Sequence, residues 1–185
     1  MNYIFSFFND IILTHGVAWL IGQIFGIIAI ILGFISYQLK TQKQLLFMQT
    51  SVAAAFCVHY FLIGAYSGMA MNAVGIIRNA VYNRQNQKGA SNKLIPFAFV
   101  AVQCVIWALT WEAWYSVFVL LGLTINTYCM SFKNPQNVRK SIFVTSPLVL
   151  TYDVFASSYG GMIYESVAII SSFIGVMRNR RKSEQ

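Results

Sequence analysis

The sequence predicts an all-α membrane protein: seven transmembrane helices forming two parallel three-helix repeats joined by one further helix, a 3+1+3 plan. Three observations predict it. The chain is 57% hydrophobic and only 10% charged, more apolar surface than a soluble core built from 185 residues can hide. Every Lys and Arg falls on one side of a seven-span topology. The chain also repeats its own features at an offset of 93 residues.

The apolar runs place spans at roughly 17–38, 45–65, 67–83, 94–110, 115–132, 141–159 and 160–177. Each approaches the ~20 residues that cross a hydrocarbon core as a helix. Residues 1–16 lack the basic stretch of a signal peptide. With three Phe and one Asp, 3–13 reads as a short helix in the outer interface. Lys40 and Lys43 lie between spans one and two, and Arg84, Lys88 and Lys93 between three and four. Lys133, Arg139 and Lys140 separate five from six; Arg178, Arg180, Arg181 and Lys182 follow seven. Arg78, inside span three, is read as snorkelling toward the same interface, the alternative being a gate contact near the inner mouth. The opposite connections carry Asp10, His15 and Glu112 and no Lys or Arg. Cytoplasmic loops collect Lys and Arg, so the amino terminus is expected outside and residues 179–185 form a basic cytoplasmic tail. The net charge of +8 is then assigned to orientation and anionic lipid, and no nucleic-acid partner is expected. Cys57, Cys104 and Cys129 all fall within spans, which suits apolar packing better than a disulfide or metal site.

Sliding the chain by 93 residues brings Lys40 onto Lys133, Tyr66 onto Tyr159, Gly68 onto Gly161 and Met69 onto Met162. Features of different kinds superpose: the basic turn at Lys40 and Lys43 with that at 133–140, and the hairpin at Tyr66, Ser67 and Gly68 with Tyr159, Gly160 and Gly161. The glycines are expected to form these hairpins, because they turn at little steric cost. The units are a triple-helix repeat at 17–83, a connecting helix at 94–110 and a second repeat at 115–178. Three is odd, so the extra span is what makes the two copies parallel, the arrangement of carriers that bind substrate between two halves.

Polar residues within spans are expensive and face the interior or a wet cavity. Counting 1.5 Å per residue, His59 and Asn72 fall at one depth in the outer half. The offset brings Tyr152, Asp153 and Glu165 to the same level. These five are the candidate substrate-binding residues. Glu112 lies between Trp111 and Trp114, a pair suited to an interfacial belt.

The 3+1+3 plan resembles the SWEET/MtN3 and PQ-loop membrane proteins and the PnuC vitamin transporters. Residues 133–141 (KNPQNVRKS) resemble a PQ-loop, a Pro-Gln pair followed by a basic stretch ending in Lys-Ser. Residues 59–66 (HYFLIGAY), with Asn72 following, and 159–165 (YGGMIYE) are similar to the bacterial inner-membrane YgjV family over nearly the whole chain. The resemblance implies a SWEET-like bundle in that membrane and supplies no ligand. SWEET-like proteins place a substrate-facing Asn on the third helix of each repeat. Asn72 fits that role; Glu165 departs from it and favours an amine, a cation or proton coupling over a neutral sugar.

The expectation is a carrier of a small polar molecule working by alternating access, with no cofactor. The alternative is a non-transporting scaffold or regulatory subunit whose polar layer holds the fold. The sequence carries no metal-ligand, nucleophile-elbow or phosphate-loop motif, so an enzyme is not expected. Substrate identity and oligomeric state are left open.

Overall fold

The computed structural model describes the backbone at 2–88, 92–132 and 134–183, and within these the side chains between Gly16 and Arg178. Of the expected interfacial segment (1–16) the side chains of 1–15 lie outside the described residues, as do those of the basic tail (179–185) and Lys133. Seven helices follow one another: α1 (Asn2–Gln38), α2 (Gln42–Ile63), α3 (Tyr66–Gln87), α4 (Leu94–Leu109), α5 (Ser116–Met130), α6 (Pro135–Phe155) and α7 (Tyr159–Ser183). α1 is broken at Gly16, whose φ of 82° only glycine adopts cheaply.

Among the described residues three segments are long and apolar enough to cross a bilayer: Gly16–Gln38, Gln42–Ile63 and Tyr159–Arg178. α4 and α5 are apolar but shorter. α3 and α6 are long enough, but their polar residues dilute them. Some of these lie on interior faces, Arg78 and Asn79 sharing the buried face of α3 with Met71, Val74, Gly75 and Tyr82, while Arg84, Gln87 and Lys140 are exposed near the basic end. α6 buries Arg139, Thr145, Ser146 and Asp153. Apolar side chains dominate the outside instead, with Ile27, Ile31, Phe47, Phe61, Ile77 and Ile170 all exposed.

Helices start and stop where local chemistry dictates. Thr41 caps α2 by accepting a hydrogen bond from the Gln44 N–H. Asn134 caps α6 in the same way for Gln136, and Pro135 takes the first turn, where its missing N–H costs nothing. α2 ends at Gly64 (φ 80°), with the Ala65 N–H returning to the Tyr60 carbonyl at 2.9 Å. α6 ends likewise at Ser157 (φ 52°), with the Ser158 N–H on the Asp153 carbonyl at 2.9 Å.

α2 packs between α1 and α3, and α6 between α5 and α7; α1 meets α7, α3 meets α5, and α4 lies against α3 and α5. Glycine lets α1 and α7 approach: a Cβ on Gly26 would sit 2.8 Å from the Gly160 Cα. This corrects one expectation. Gly68, Gly160 and Gly161 lie inside helices and serve close packing, while Gly64 and Ser157 make the turns.

The α1–α2 and α5–α6 links and the end of α7 share one end of the bundle, here the basic end. There the buried Arg139 of α6 donates to the carbonyls of Tyr37 (2.8 Å) and Leu39 (2.6 Å), which end α1. Gln42 of α2 donates to the Met130 carbonyl, which ends α5, at 3.1 Å. At the opposite end, Glu112 accepts from the Ser67 N–H in the first turn of α3 at 2.6 Å. A carboxylate is favoured there by the helix dipole. The Ser67 hydroxyl also donates to the Thr110 carbonyl.

Candidate functional site

Helical phase brings polar groups of α2, α3, α5, α6 and α7 to one central cavity of about 60 Å³, room for a few water molecules. Asn72 and Arg78 of α3 line one wall, with Asn126 of α5, Thr145 of α6 and Glu165 of α7 on the others. Tyr37, Tyr60 and Tyr164 complete it with amphipathic rings, and the Tyr37 and Tyr164 hydroxyls stand 3.4 Å apart. Gln49 also borders the cavity, its amide donating to Ser36 Oγ at 2.8 Å.

The five sequence-predicted residues divide here. Asn72 and Glu165 line the cavity. The Asn72 amide donates back to the Gly68 carbonyl at 2.9 Å, leaving its carbonyl oxygen for another donor. His59, Tyr152 and Asp153 do not line it. All three are fully buried and tie helices together at the Glu112 end of the cavity. His59 bridges the Gly22 carbonyl (2.8 Å) and Ser158 Oγ (2.7 Å), linking α1 to the α6–α7 turn. The Tyr60 hydroxyl donates to Asp153 Oδ1 at 2.7 Å, and the Gly68 N–H donates to the Tyr152 hydroxyl at 3.0 Å. Phe56 stacks on Tyr60 (centroids 5.5 Å apart) and meets Tyr164 edge-on (4.8 Å) beside this layer.

Arg78 is the main site residue that sequence reading misplaced. It is 4% exposed and points inward, not toward the interface. Its guanidinium donates to Asn79 Oδ1 (3.0 and 2.9 Å) and Thr127 Oγ1 (2.7 Å) and touches Met130 Sδ (3.1 Å). Thr127 in turn donates to Gln103 Oε1 of α4 at 3.1 Å. The physical reason is helical phase. Arg78 stands four residues after Val74 and four before Tyr82, on the face that packs, and nine residues (about 14 Å) of helix still separate it from the end of α3. That phase was the available signal. Asn126 showed only as a polar residue within a span, suited to holding helices together, and Thr145 and Ser158, beside Ser146 and Ser157, carried no further signal.

The cavity can therefore offer a guanidinium, a carboxyl and amide and hydroxyl groups to a bound polar molecule. Among the described residues no group of three His, Cys, Asp or Glu side chains is arranged to hold a metal ion.

Buried polar side chains on an apolar-faced helical bundle describe an integral membrane protein, and comparison with known families is specific. Residues 20–183 match the Imp-YgjV model, described as a bacterial inner membrane protein. The chain belongs to the Imp-YgjV family. Nothing among curated proteins or solved structures matches the chain. As an Imp-YgjV protein it resides in the bacterial inner membrane, consistent with its exposed apolar helices.

Proposed function

We propose that this Imp-YgjV protein is a carrier for a small polar molecule, and that its two triplets, α1–α3 and α5–α7, rock about the central cavity. One observation carries the reading: a polar cavity at bilayer depth, lined from both triplets and bearing Asn72, Arg78 and Glu165. Polar groups are costly in lipid and persist there when they serve a pathway.

The SWEET-like 3+1+3 parallel repeat belongs to this proposal. It draws support from features that recur 93 residues apart. The capped starts at Thr41 and Asn134, the left-handed ends at Gly64 and Ser157, and the Ala65-to-Tyr60 and Ser158-to-Asp153 bonds are such pairs. Tyr60 and Asp153 are also equivalent positions, and they bond to each other across the two triplets. In this scheme all seven helices span, with 17–83 and 115–178 as the repeats and 94–110 between them. The basic end, with Lys40, Lys43, Arg84, Lys88, Lys140 and Arg178, faces the cytoplasm. Residues 1–16 lie at the outer interface.

Asn72, Arg78 and Glu165 then contact substrate. His59, Tyr152 and Asp153 act as an outer gate, closed by the bonds to Ser158, Gly68 and Tyr60. Arg139 and Gln42 latch the inner end. With both ends bonded, the cavity is occluded, and transport requires each set to open in turn. The chemistry needed is binding and release alone, with no cofactor and no catalytic step.

The test is thermal stability of the detergent-purified protein against sugars, nucleosides, vitamins and amines, with N72A and E165Q run beside it. A ligand of the folded state at a hundred times its dissociation constant adds ~2.7 kcal/mol. The expected result is a compound that stabilises the parent, fails with both variants, and is moved by the parent in proteoliposomes. No response to any compound, with both variants strongly destabilised, would instead support a scaffold whose polar layer is structural.

A further inference from the structure

A second concavity, of about 260 Å³, opens at the Glu112 end, beyond the His59–Tyr152–Asp153 layer. Its walls combine three aromatic side chains from three parts of the chain, Trp19 of α1, Tyr115 before α5 and Phe155 ending α6, with the carboxyl of Glu112. The turns at Gly64 and Ser157 form the rim. Tyr115 and Phe155 are stacked, their centroids 5.5 Å apart and their planes inclined by 14°. Trp19 is held edge-on against Tyr159 at 5.7 Å. These contacts fix the rings before any ligand arrives.

Among the described residues no Lys or Arg lines this vestibule; the described Lys and Arg side chains lie toward the basic end or, for Arg78, in the central cavity. Glu112 contributes the carboxyl, anchored in place by the Ser67 N–H. Such walls offer an anion nothing, and a bare metal ion too few oxygens. They do suit a cation with an apolar surface, because aromatic faces attract positive charge and tolerate alkyl groups that a hydrated metal ion lacks.

We infer that the vestibule is a binding site for an alkylated ammonium group, seated against Trp19, Tyr115 and Phe155 with Glu112 as its counter-charge. The site is separate from the central cavity and stands whether or not the chain is a carrier. A free small amine and a lipid headgroup both carry this chemistry.

The experiment is calorimetric titration of tetramethylammonium chloride into the purified protein in an uncharged maltoside detergent, with sodium chloride as the blank. Saturable binding is expected. Glu112→Gln keeps an oxygen for the Ser67 N–H while removing the charge, and Trp19→Leu removes one aromatic face. Each should weaken binding roughly tenfold, while Glu165→Gln leaves it unchanged. Folding of each variant is checked by its circular dichroism, and Glu112→Asp, which restores the charge, should recover part of the affinity. No saturable heat from the folded parent overturns the proposal. So does binding that Glu165→Gln abolishes and Glu112→Gln spares, because the ion would then occupy the central cavity. Repeating the titration in nanodiscs of phosphatidylglycerol, with and without phosphatidylcholine, distinguishes the source. Competition by the choline lipid assigns the site to a headgroup, and unchanged affinity assigns it to a free amine.

Discussion

Arg139 closes the basic end of the bundle, and its removal can be priced from its contacts. Arg139→Met keeps an apolar stem but takes away the donors to two carbonyls that α1 cannot satisfy within itself. The Tyr37 carbonyl is buried and loses its 2.8 Å bond outright, at about 2 kcal/mol. The Leu39 carbonyl is only part-buried and regains some water, so its loss costs about 1 kcal/mol. The bond to Gln136 at 3.2 Å adds little. The expected total is therefore about 3 kcal/mol, measured as reversible unfolding by dodecyl sulfate in mixed micelles and followed by helical circular dichroism. Arg139→Lys should lose about half, because one ammonium can reach one carbonyl at a time. Gly175 supplies a cross-check: a methyl there would stand 2.9 Å from Arg139 Cδ and Nε, so Gly175→Ala alone should cost 1 to 3 kcal/mol by crowding. Arg139→Ala removes both crowding atoms and leaves only the Tyr37 carbonyl at 3.1 Å, so Arg139→Ala and Gly175→Ala should be strongly non-additive. Stability of Arg139→Met within about 0.5 kcal/mol of the parent, or simple additivity of the two Ala changes, would refute the latch.

Three further predictions concern the other end and the helix crossings. His59→Phe preserves a ring but removes its bonds to the Gly22 carbonyl and Ser158 Oγ, and should lower stability by about 2 to 4 kcal/mol in the same titration; a parent-like value would mean that the ring only packs. Gly26→Ala forces a methyl against the Gly160 backbone, and a cost of about 1 to 3 kcal/mol is expected, whereas a neutral result would show that the α1–α7 crossing adjusts freely. Burial raises the Glu112 carboxyl above the usual glutamate range, opposed by hydrogen bonds from the α3 amides. Its contribution to stability is therefore fully present below the unfolded value of about 4.3 and is lost as pH rises through the higher folded value. Thermal melts across mildly acidic pH should decline with rising pH less steeply in Glu112→Gln than in the parent, and equal slopes would exclude this group as the cause.

Hydrophobicity made the helices legible because lipid-facing residues must be apolar whatever the fold. It marked the bilayer segment of each helix and missed the rest. α2 begins at Gln42 and α6 at Pro135, several residues before the apolar runs at 45 and 141, and Gln42 and Arg139 in those extra turns make the basic-end contacts. Counting depth brought His59, Asn72, Tyr152, Asp153 and Glu165 to one level, but depth carries no azimuth. Asn72 and Glu165 face the cavity, whereas His59, Tyr152 and Asp153 face partners one layer beyond it. Several of those partners are backbone groups, such as the Gly22 carbonyl and the Gly68 N–H, which no residue type announces. For Arg78 the opposite holds: its charge suits the interface, whereas its phase on α3 places it in the interior.

The contacts of α1 and α2 impose an order on biogenesis. The Tyr37 and Leu39 carbonyls await Arg139, and Gln38 awaits Ser171. Gln23 awaits the Gly160 N–H, and His59 awaits Ser158. Every one of these partners is synthesised after residue 134, once the first five helices have been made. An unpartnered polar group costs several kcal/mol in hydrocarbon, so Gln23 and His59 reach their settled packing when the final pair arrives, and the last two helices complete the first two.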